Sequence, residues 1–76
     1  MYRDLTEFIV KSIVDEPDAV RVTEMESRNN IVLEVSVADD DMGRVIGKGG
    51  RVINAIRTLV QIPGARADKR ISLEIV

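Results

Sequence analysis

Glycine and lysine are concentrated in one short segment of the chain. Four of the five glycines, Gly43, Gly47, Gly49 and Gly50, lie within eight residues, and Lys48 lies among them. Glycine permits left-handed backbone conformations and the close approach of a ligand to the main chain. A helix is predicted to begin directly after this segment, and its N-terminus offers free N–H groups and partial positive charge. The segment is therefore suited to hold a phosphate group.

Two common phosphate-binding motifs do not fit this segment. A P-loop needs Gly, four residues, Gly-Lys and then a hydroxyl residue that holds magnesium. Here Gly43 is one residue too close to Gly47, and Gly49 stands at the hydroxyl position. The dinucleotide fingerprint follows a strand and needs a third glycine, but Val52 stands at that position. Nucleotide hydrolysis and redox chemistry are therefore disfavoured.

The composition limits what the chain can do. A chain of 76 residues buries only about 60% of the surface that it exposes when unfolded. It contains no cysteine and no histidine, so thiolate chemistry and the commonest general base are lacking. No apolar stretch approaches the roughly 20 residues of a membrane helix, and the acidic start does not resemble a signal peptide. We expect a cytoplasmic protein that is not an enzyme, with no cofactor, metal, membrane contact or small-molecule substrate.

The charges divide the chain into an acidic and a basic half. Residues 1–42 hold four basic and eleven acidic side chains, a net charge of −7. Residues 43–76 hold seven basic and two acidic side chains, a net charge of +5. Attraction between the halves inside the fold explains this division equally well. Because the basic half begins at the glycine segment, however, an anionic partner is favoured.

Hydrophobic spacing in the first half predicts a helix followed by a hairpin. The helix covers residues 2–14, where apolar side chains recur at helical intervals. Its predicted core stripe consists of Leu5, Phe8, Ile9, Ile13 and Val14. Alternating runs at 19–26 and 31–37 predict two antiparallel strands. One face of the second strand is expected to consist of Ile31, Leu33, Val35 and Val37.

The second half predicts a short helix, a longer helix and a final strand. The short helix covers residues 42–46, and the longer one begins at Arg51 and ends at Pro63-Gly64. An exposed loop over 65–70 then leads to a strand at 71–76. The predicted core stripe of the longer helix consists of Val52 or Ile53, Ile56, Leu59 and Val60. Three helices covering one face of three strands would bury these stripes, so we expect a two-layer α+β fold of order α-β-β-α-α-β.

Three consecutive aspartates precede the short helix. Asp39, Asp40 and Asp41 are suited to cap its N-terminus and to interact favourably with its dipole. Consecutive residues at a helix start do not converge on one ion, so a metal site is disfavoured. We therefore predict a structural role for these carboxylates.

A Gly-x-x-Gly loop, Gly47-Lys48-Gly49-Gly50, lies between the two predicted helices. KH domains clamp four backbone nucleotides with such a loop, and the flanking Val45-Ile46 and Arg51-x-Ile53 make the signal specific. Further segments that match one family are Phe8–Val14, Pro17–Val20, Met42–Lys48 and Ala55–Leu59. Over residues 1–76, a single domain, the chain resembles a type II KH domain. It is similar in particular to the KhpA family of small single-KH proteins of bacteria.

This resemblance implies a non-catalytic protein that binds single-stranded RNA. The family implies an RNA chaperone or post-transcriptional regulator connected with cell elongation and division. It also implies a homodimer, or a heterodimer with a larger KhpB protein that carries KH and Jag domains. Residues Ile62–Ala65 depart from the family pattern in what we expect to be a variable loop. Two other functions stay open, a protein-interaction adaptor with an idle nucleic-acid groove and the binding of single-stranded DNA.

Ten residues are predicted to contact the nucleic acid. Gly47 and Gly50 let backbone N–H groups of the loop and of the following helix point at phosphate oxygens. Lys48 and Arg51 add mobile positive charge beside them. Apolar and amide side chains next to the loop are expected to hold the bases. The full set is Arg44, Val45, Ile46, Gly47, Lys48, Gly49, Gly50, Arg51, Asn54 and Arg57.

Some of these side chains have a structural alternative, and aromatic side chains are scarce. Ile46 and Ile53, the latter a further candidate for contact with the bases, fit the core equally well, and Arg57 fits a solvated helix face. The aromatic residues are Tyr2 and Phe8, of which Tyr2 is close to the N-terminus and Phe8 belongs to the predicted core stripe. Bases are therefore expected to be held by aliphatic contacts and hydrogen bonds, with modest and salt-dependent affinity.

Overall fold

The fold consists of three helices and a three-stranded sheet in the order α-β-β-α-α-β, as the sequence predicts. The structure is a computed structural model that describes residues 1–76. The helices are α1 (Tyr2–Ile13), α2 (Met42–Ile46) and α3 (Arg51–Arg66), and the strands are β1 (Arg21–Ser27), β2 (Asn30–Ser36) and β3 (Arg70–Ile75). None of the helices has both the length and the apolar character that crossing a membrane requires.

The strand β2 is central in the sheet and positions the two helices that follow it. It pairs antiparallel with β1, which confirms the predicted hairpin, and parallel with β3. A parallel neighbour requires a crossover connection, and here the crossover contains α2, the glycine loop and α3. The loop therefore lies beyond the end of β2, and α3 returns to the hairpin end, where Asn30 is opposite Arg70.

The sheet and the helices enclose one core of 13 buried apolar residues. The strands β2 and β3 contribute alternate residues to it, because successive side chains of a strand point to opposite faces, and β1 contributes Val22. From the side that faces the sheet, α1 and α3 contribute one row each and α2 contributes Val45. The core residues are Tyr2, Val10, Val20, Val22, Ile31, Leu33, Val35, Val45, Ile53, Ile56, Val60, Ile71 and Leu73.

Two large apolar residues that were predicted to lie in the core are exposed. Phe8 is 72% exposed and Leu59 is 53% exposed. In α1 the buried residues follow a spacing of four, Tyr2, Thr6 and Val10, so the helix is rotated about its axis relative to the prediction. Hydrophobic periodicity shows that a helix has an apolar side. Small residues such as Thr6 let the helix pack more closely against the sheet, and they determine which residues lie in the middle of the buried side.

The end of α3 also differs from the prediction. The helix continues through Pro63 and Gly64 to Arg66, so the segment predicted as a variable loop is helical. A Cβ on Gly64 would lie 2.6 Å from Cγ1 of Ile71, and glycine therefore lets α3 approach β3 closely. The backbone N–H of Lys69 donates to the Gly64 carbonyl at 2.7 Å. These contacts hold the last turn and offset the hydrogen bond that proline removes.

The aspartates before α2 do not cap it with their side chains, so that prediction is wrong. Asp41 is 1% exposed, and its two carboxylate oxygens accept hydrogen bonds from the backbone N–H groups of Asp15 and Glu16, both at 3.1 Å. A buried carboxylate needs such partners. These hydrogen bonds of Asp41 therefore hold the segment after α1 against the beginning of α2.

Candidate nucleic-acid interface

Three glycines with positive φ form the loop between α2 and α3. The φ angles of Gly47, Gly49 and Gly50 are +76°, +65° and +81°. At Gly47 a Cβ would also lie 2.5 Å from Cγ2 of Val52, so both conformation and space require glycine there. At Gly49 a Cβ would have no neighbour within 4 Å. The chain therefore turns sharply at Gly47 and presents the rest of the loop to solvent.

The loop leads into the N-terminus of α3, where no side chain caps the helix. Helix N-termini carry N–H donors without intrahelical partners and partial positive charge, which favours an anion at this end. Lys48 and Arg51 flank it and are exposed. Neither side chain takes part in any ion pair of the protein. Two uncommitted cations therefore lie at an uncapped helix start.

Arg44, on the other side of the loop, is committed to acidic partners. Its Nη2 lies 3.1 Å from Oδ2 of Asp15, and its Nε lies 3.8 Å from Oδ1 of Asp41. Asp15 is joined in the chain by Glu16, and Asp41 by Asp39 and Asp40, so negative charge surrounds α2. The structure thus places Arg44 near the loop without leaving its charge free.

Arg57 and Asn54 form a pair one turn inside α3. The guanidinium of Arg57 donates from Nη1 to Oδ1 of Asn54 at 2.6 Å and from Nη2 to the carbonyl of Leu73 in β3 at 3.0 Å. Arg57 is therefore not merely a solvated side chain. The amide Nδ2 of Asn54 lies 3.6 Å from the position of a Cβ on Gly50, so the amide is adjacent to the loop.

The two apolar candidates beside the loop differ in exposure. Val45 is fully buried and Ile46 is half-buried. Val45 therefore supports the loop from the core, and its side chain is not at the surface. The structure brings together the loop, Arg51, Asn54 and Arg57.

Gln61 was not identified from the sequence but forms part of the same surface. Its Nε2 donates to the carbonyl of Lys69 at 3.0 Å, and its Oε1 accepts from the backbone N–H of Ile71 at 3.0 Å. Gln61 and Arg57 are four residues apart and so lie on one side of α3, where both bind the outer edge of β3. The only signal in the sequence was this spacing of two polar residues.

The chain is related to known proteins over nearly its whole length. The family model described as KhpA/KhpB, KH domain, matches residues 3–75. The RNA-binding protein KhpA of Caldanaerobacter subterraneus subsp. tengcongensis is 47% identical over 73 residues, which cover 96% of this chain and 97% of that protein. The RNA-binding protein KhpA of Listeria monocytogenes is 50% identical over 68 residues, 90% of each chain.

A solved structure shares the fold at low sequence identity. It is the crystal structure of Era in complex with MgGDPNP and nucleotides 1506–1542 of 16S ribosomal RNA. The superposition has a TM-score of 0.68 at 19% identity and covers 97% of this chain and 28% of that chain. This similarity concerns the fold alone. From the family model and the full-length relatives together, the chain belongs to the KhpA/KhpB family of KH domains.

Proposed function

We propose that the protein binds single-stranded RNA through the loop Gly47–Gly50 and catalyses no reaction. The observation that carries this proposal is the combination of three left-handed glycines, an uncapped helix start and two unpaired cations at one place. Relatives that match nearly the whole chain are named RNA-binding proteins, which supports RNA as the ligand. The chemistry requires no cofactor.

In this proposal the loop binds the phosphate backbone of the strand. The backbone N–H groups of Gly50 and Arg51 donate to the carbonyls of Gly47 and Lys48 within the turn. Other N–H groups of the loop and of the first turn of α3 donate to phosphate oxygens, and the side chains of Lys48 and Arg51 neutralise phosphate charge. Each neutralised phosphate on a single strand contributes about −0.7 to the slope of log affinity against log salt. Binding is therefore expected to weaken steeply as salt rises. Arg44 can bind a phosphate only if it releases Asp15, so its contribution to RNA affinity is expected to be smaller than that of Lys48 or Arg51.

The bases are proposed to lie against α3 beside Asn54 and Arg57. Arg57 has five N–H donors, of which the contacts to Asn54 and Leu73 use two. The Nδ2 group of Asn54 donates to no group in the protein, which leaves it available to a base edge. Ile46 supplies aliphatic contact next to the loop.

Base stacking on aromatic rings contributes little in this proposal. Tyr2 is buried and Phe8 lies on α1, outside the loop and α3. Stacking that is worth about 1–3 kcal/mol per base in other single-strand binders is therefore missing, and the affinity of one site is modest. Pairing of two sites raises avidity by about 10²–10⁴. We accordingly propose a homodimer, or a heterodimer with a KhpB/Jag-type protein.

The cellular role that we propose follows the family. The protein would act as an RNA chaperone or post-transcriptional regulator in the control of cell elongation and division, with residues 1–76 acting as one KH domain. A protein-interaction adaptor is the second candidate, favoured by the acidic surroundings of Arg44. Single-stranded DNA is a third ligand to be tested, because no group at the site is dedicated to a 2′-hydroxyl.

Fluorescence anisotropy of a labelled random single-stranded RNA tests the proposal. The test variant combines Lys48→Asp with Gly49→Asp, because Asp tolerates a left-handed backbone and a side chain at Gly49 meets no neighbour. The control combines Lys11→Asp with Ser12→Asp on the exposed side of α1, which changes the net charge equally. We expect salt-dependent binding that the test variant loses and the control retains.

Binding that is equal in the wild type and in the test variant would contradict the loop proposal. Absence of binding by the wild type would make a protein partner the primary ligand. Competition with unlabelled RNA and with unlabelled DNA of the same sequence distinguishes the two ligands. If both displace the labelled RNA equally well, the protein does not recognise the 2′-hydroxyl.

A further inference from the structure

The two outer edges of the sheet are closed to different extents. At the β3 edge, Gln61 accepts a hydrogen bond from the backbone N–H of Ile71, and Arg57 donates to the carbonyl of Leu73, both at 3.0 Å. These side chains of α3 satisfy backbone groups that face away from the sheet. The strand β1, at the other edge, pairs only with β2, so its outward backbone groups need other partners.

The hydrogen bonds of β2 show which groups of β1 face outward. The carbonyl of Val35 accepts from the N–H of Val76 at 3.0 Å, and the carbonyl of Asn29 accepts from the N–H of Arg70 at 2.7 Å. Odd-numbered positions along β2 therefore direct their backbone groups to β3, and even-numbered positions direct theirs to β1. In the register of the hairpin, these even-numbered positions are opposite odd-numbered residues of β1. Three residues of β1 consequently direct their N–H and C=O groups away from the sheet, namely Val22, Glu24 and Glu26.

One of these three residues is covered and two are not. The Nε of Arg3 donates to the carbonyl of Val22 at 3.0 Å, and the backbone N–H of Arg3 donates to the carboxylate of Glu24 at 2.9 Å. The backbone N–H and C=O groups of Glu24 and Glu26 make no hydrogen bond within the protein. No proline or bulge interrupts β1, whose seven residues pair one by one with β2. Residues Glu24–Glu26, which we call the open stretch, therefore form a regular strand edge that another chain can extend.

The chemistry of the open stretch favours a polypeptide over a nucleic acid. A strand edge is completed by alternating N–H and C=O groups, which a sugar-phosphate backbone lacks. The carboxylates of Glu24 and of Glu34, which lies opposite Thr23, take part in no ion pair. These free negative charges repel phosphate groups and attract basic side chains. A protein segment that carries lysine or arginine meets both requirements.

A second copy of the chain fits the open stretch less well. Because Arg3 covers the carbonyl of Val22, two β1 strands could pair only through Glu24 and Glu26. The carboxylates of one copy would then lie opposite those of the other, and like charges at such positions destabilise a strand pair. A segment with basic residues at these positions gains the same backbone hydrogen bonds without this repulsion.

We propose that the open stretch of β1 binds an extended segment of another protein, which adds a fourth strand to the sheet. Basic residues at every second position of that segment lie opposite Glu24 and Glu26. The residues between them lie against Met25, which is 47% exposed. Backbone hydrogen bonds give such a complex its affinity, and the alternate side chains give it specificity. Because β1 is the edge opposite the one that Arg57 contacts, this partner and an RNA on α3 can be bound together.

The probe for the test is a seven-residue peptide of alternating lysine and valine that begins and ends with lysine. It is titrated into ¹⁵N-labelled protein and followed by amide chemical shifts. When its lysines lie opposite Glu24 and Glu26, their N–H groups face β1 and those of the valines face solvent. The same peptide N-methylated at the lysines therefore cannot pair, whereas the peptide N-methylated at the valines is the matched control.

A pair of protein variants makes the same comparison from the other side. Glu26→Pro removes an outward N–H and leaves the ladder with β2 intact, which an edge strand tolerates. Glu26→Gln is its control, because it loses the same carboxylate and keeps the N–H. Circular dichroism establishes the fold of each variant. If Glu26→Pro does not fold, the two methylated peptides decide the question on the wild type.

We expect the largest shifts at the amides of Glu24 and Glu26, with an affinity that falls as salt rises. The peptide methylated at the lysines should bind the wild type about ten-fold more weakly than its control, and Glu26→Pro should bind the unmethylated peptide about ten-fold more weakly than Glu26→Gln. Equal affinity of the two methylated peptides would overturn the proposal, because the peptide would then be held by charge alone. Absence of binding, or largest shifts around Asp39–Asp41, would also overturn it.

Two further outcomes would assign the edge to a different occupant and so overturn the proposal. If the amides of Glu24 and Glu26 became protected from hydrogen exchange as the concentration of the free protein rose, a second copy would occupy the edge. If single-stranded RNA in place of the peptide shifted these same amides most, the edge would bind nucleic acid.

Discussion

The two sides of the glycine loop carry the same kind of residue in different electrostatic states. Arg44 on α2 contacts Asp15 at 3.1 Å and lies 3.8 Å from Asp41, whereas Arg51 on α3 has no acidic partner and is exposed. A count of charges along the sequence treats both as equal parts of a basic segment. The comparison shows that a phosphate would find free positive charge on the α3 side and competition from carboxylates on the α2 side.

The largest expected effect concerns the turn that separates the two sides. Gly47→Ala should lower the free energy of unfolding by about 2–4 kcal/mol, because the new Cβ would be strained at positive φ and would collide with Val52. Gly43→Ala is the matched control, since a Cβ there meets nothing within 4 Å and alanine favours the helix. Urea denaturation of both variants measures the difference. Equal stabilities would contradict the requirement for glycine at the turn.

The second effect compares the two arginines directly. Arg51→Gln should weaken RNA binding by about five-fold and make the salt slope shallower by about 0.7, as one phosphate contact is lost. Arg44→Gln should change the affinity by less than about two-fold, because its charge is already neutralised. Anisotropy titrations at several salt concentrations measure both values. If the two variants lost RNA affinity to the same extent, the charge of Arg44 would be as available to phosphate as that of Arg51, contrary to this prediction.

A smaller effect should follow from releasing Arg44. Asp15→Asn removes the carboxylate that Arg44 Nη2 contacts at 3.1 Å and retains the shape of the side chain. The variant should bind RNA about two-fold more tightly at low salt and equally at high salt, where exposed charges are screened. Asp18→Asn is the control for a general loss of negative charge. An identical gain in both variants would show that Arg44 is not specifically held by Asp15.

The smallest effect concerns stability at high pH and the ion pair between Lys69 and Glu26. The hydrogen bond with Glu26 raises the pKa of Lys69 above its usual 10.5, so the folded protein holds this proton more tightly than the unfolded chain does. The stabilisation is complete below pH 10.5 and disappears as the pH rises through the raised pKa. Melting temperatures of the wild type and of Lys69→Met should therefore converge above that pH. A constant difference would contradict the ion pair.

The sequence predicted those parts of the fold that depend on local patterns. Alternating β-branched residues define the strands, and the positions of Gly47 and Gly50 define the junction between two helices. The end of α3 was not predicted, because the local preference of Pro63 to end a helix is overcome by the packing of Gly64 against Ile71. Such a contact between distant segments leaves no local signal.

The candidate site also has one part that could be predicted from the sequence and one part that depends on the fold. The loop and the first turn of α3 are continuous in sequence, so their residues could be named from it. The ion pair of Arg44 with Asp15 joins residues 29 positions apart, and the bonds from Arg57 and Gln61 to β3 depend on how α3 lies across the sheet. Composition predicts how much charge is present, but only the fold determines which charge is free.

A titration of ¹⁵N-labelled protein with a short single-stranded RNA, followed by amide chemical shifts, tests whether the glycine loop contacts the RNA. We expect the largest changes in the backbone N–H groups from Lys48 to Asn54, and we expect them to vanish in the Lys48→Asp, Gly49→Asp variant. If the largest changes occurred in α1 or around Asp15 and Asp39–Asp41, and the loop were unaffected, the loop would not be the site that binds RNA.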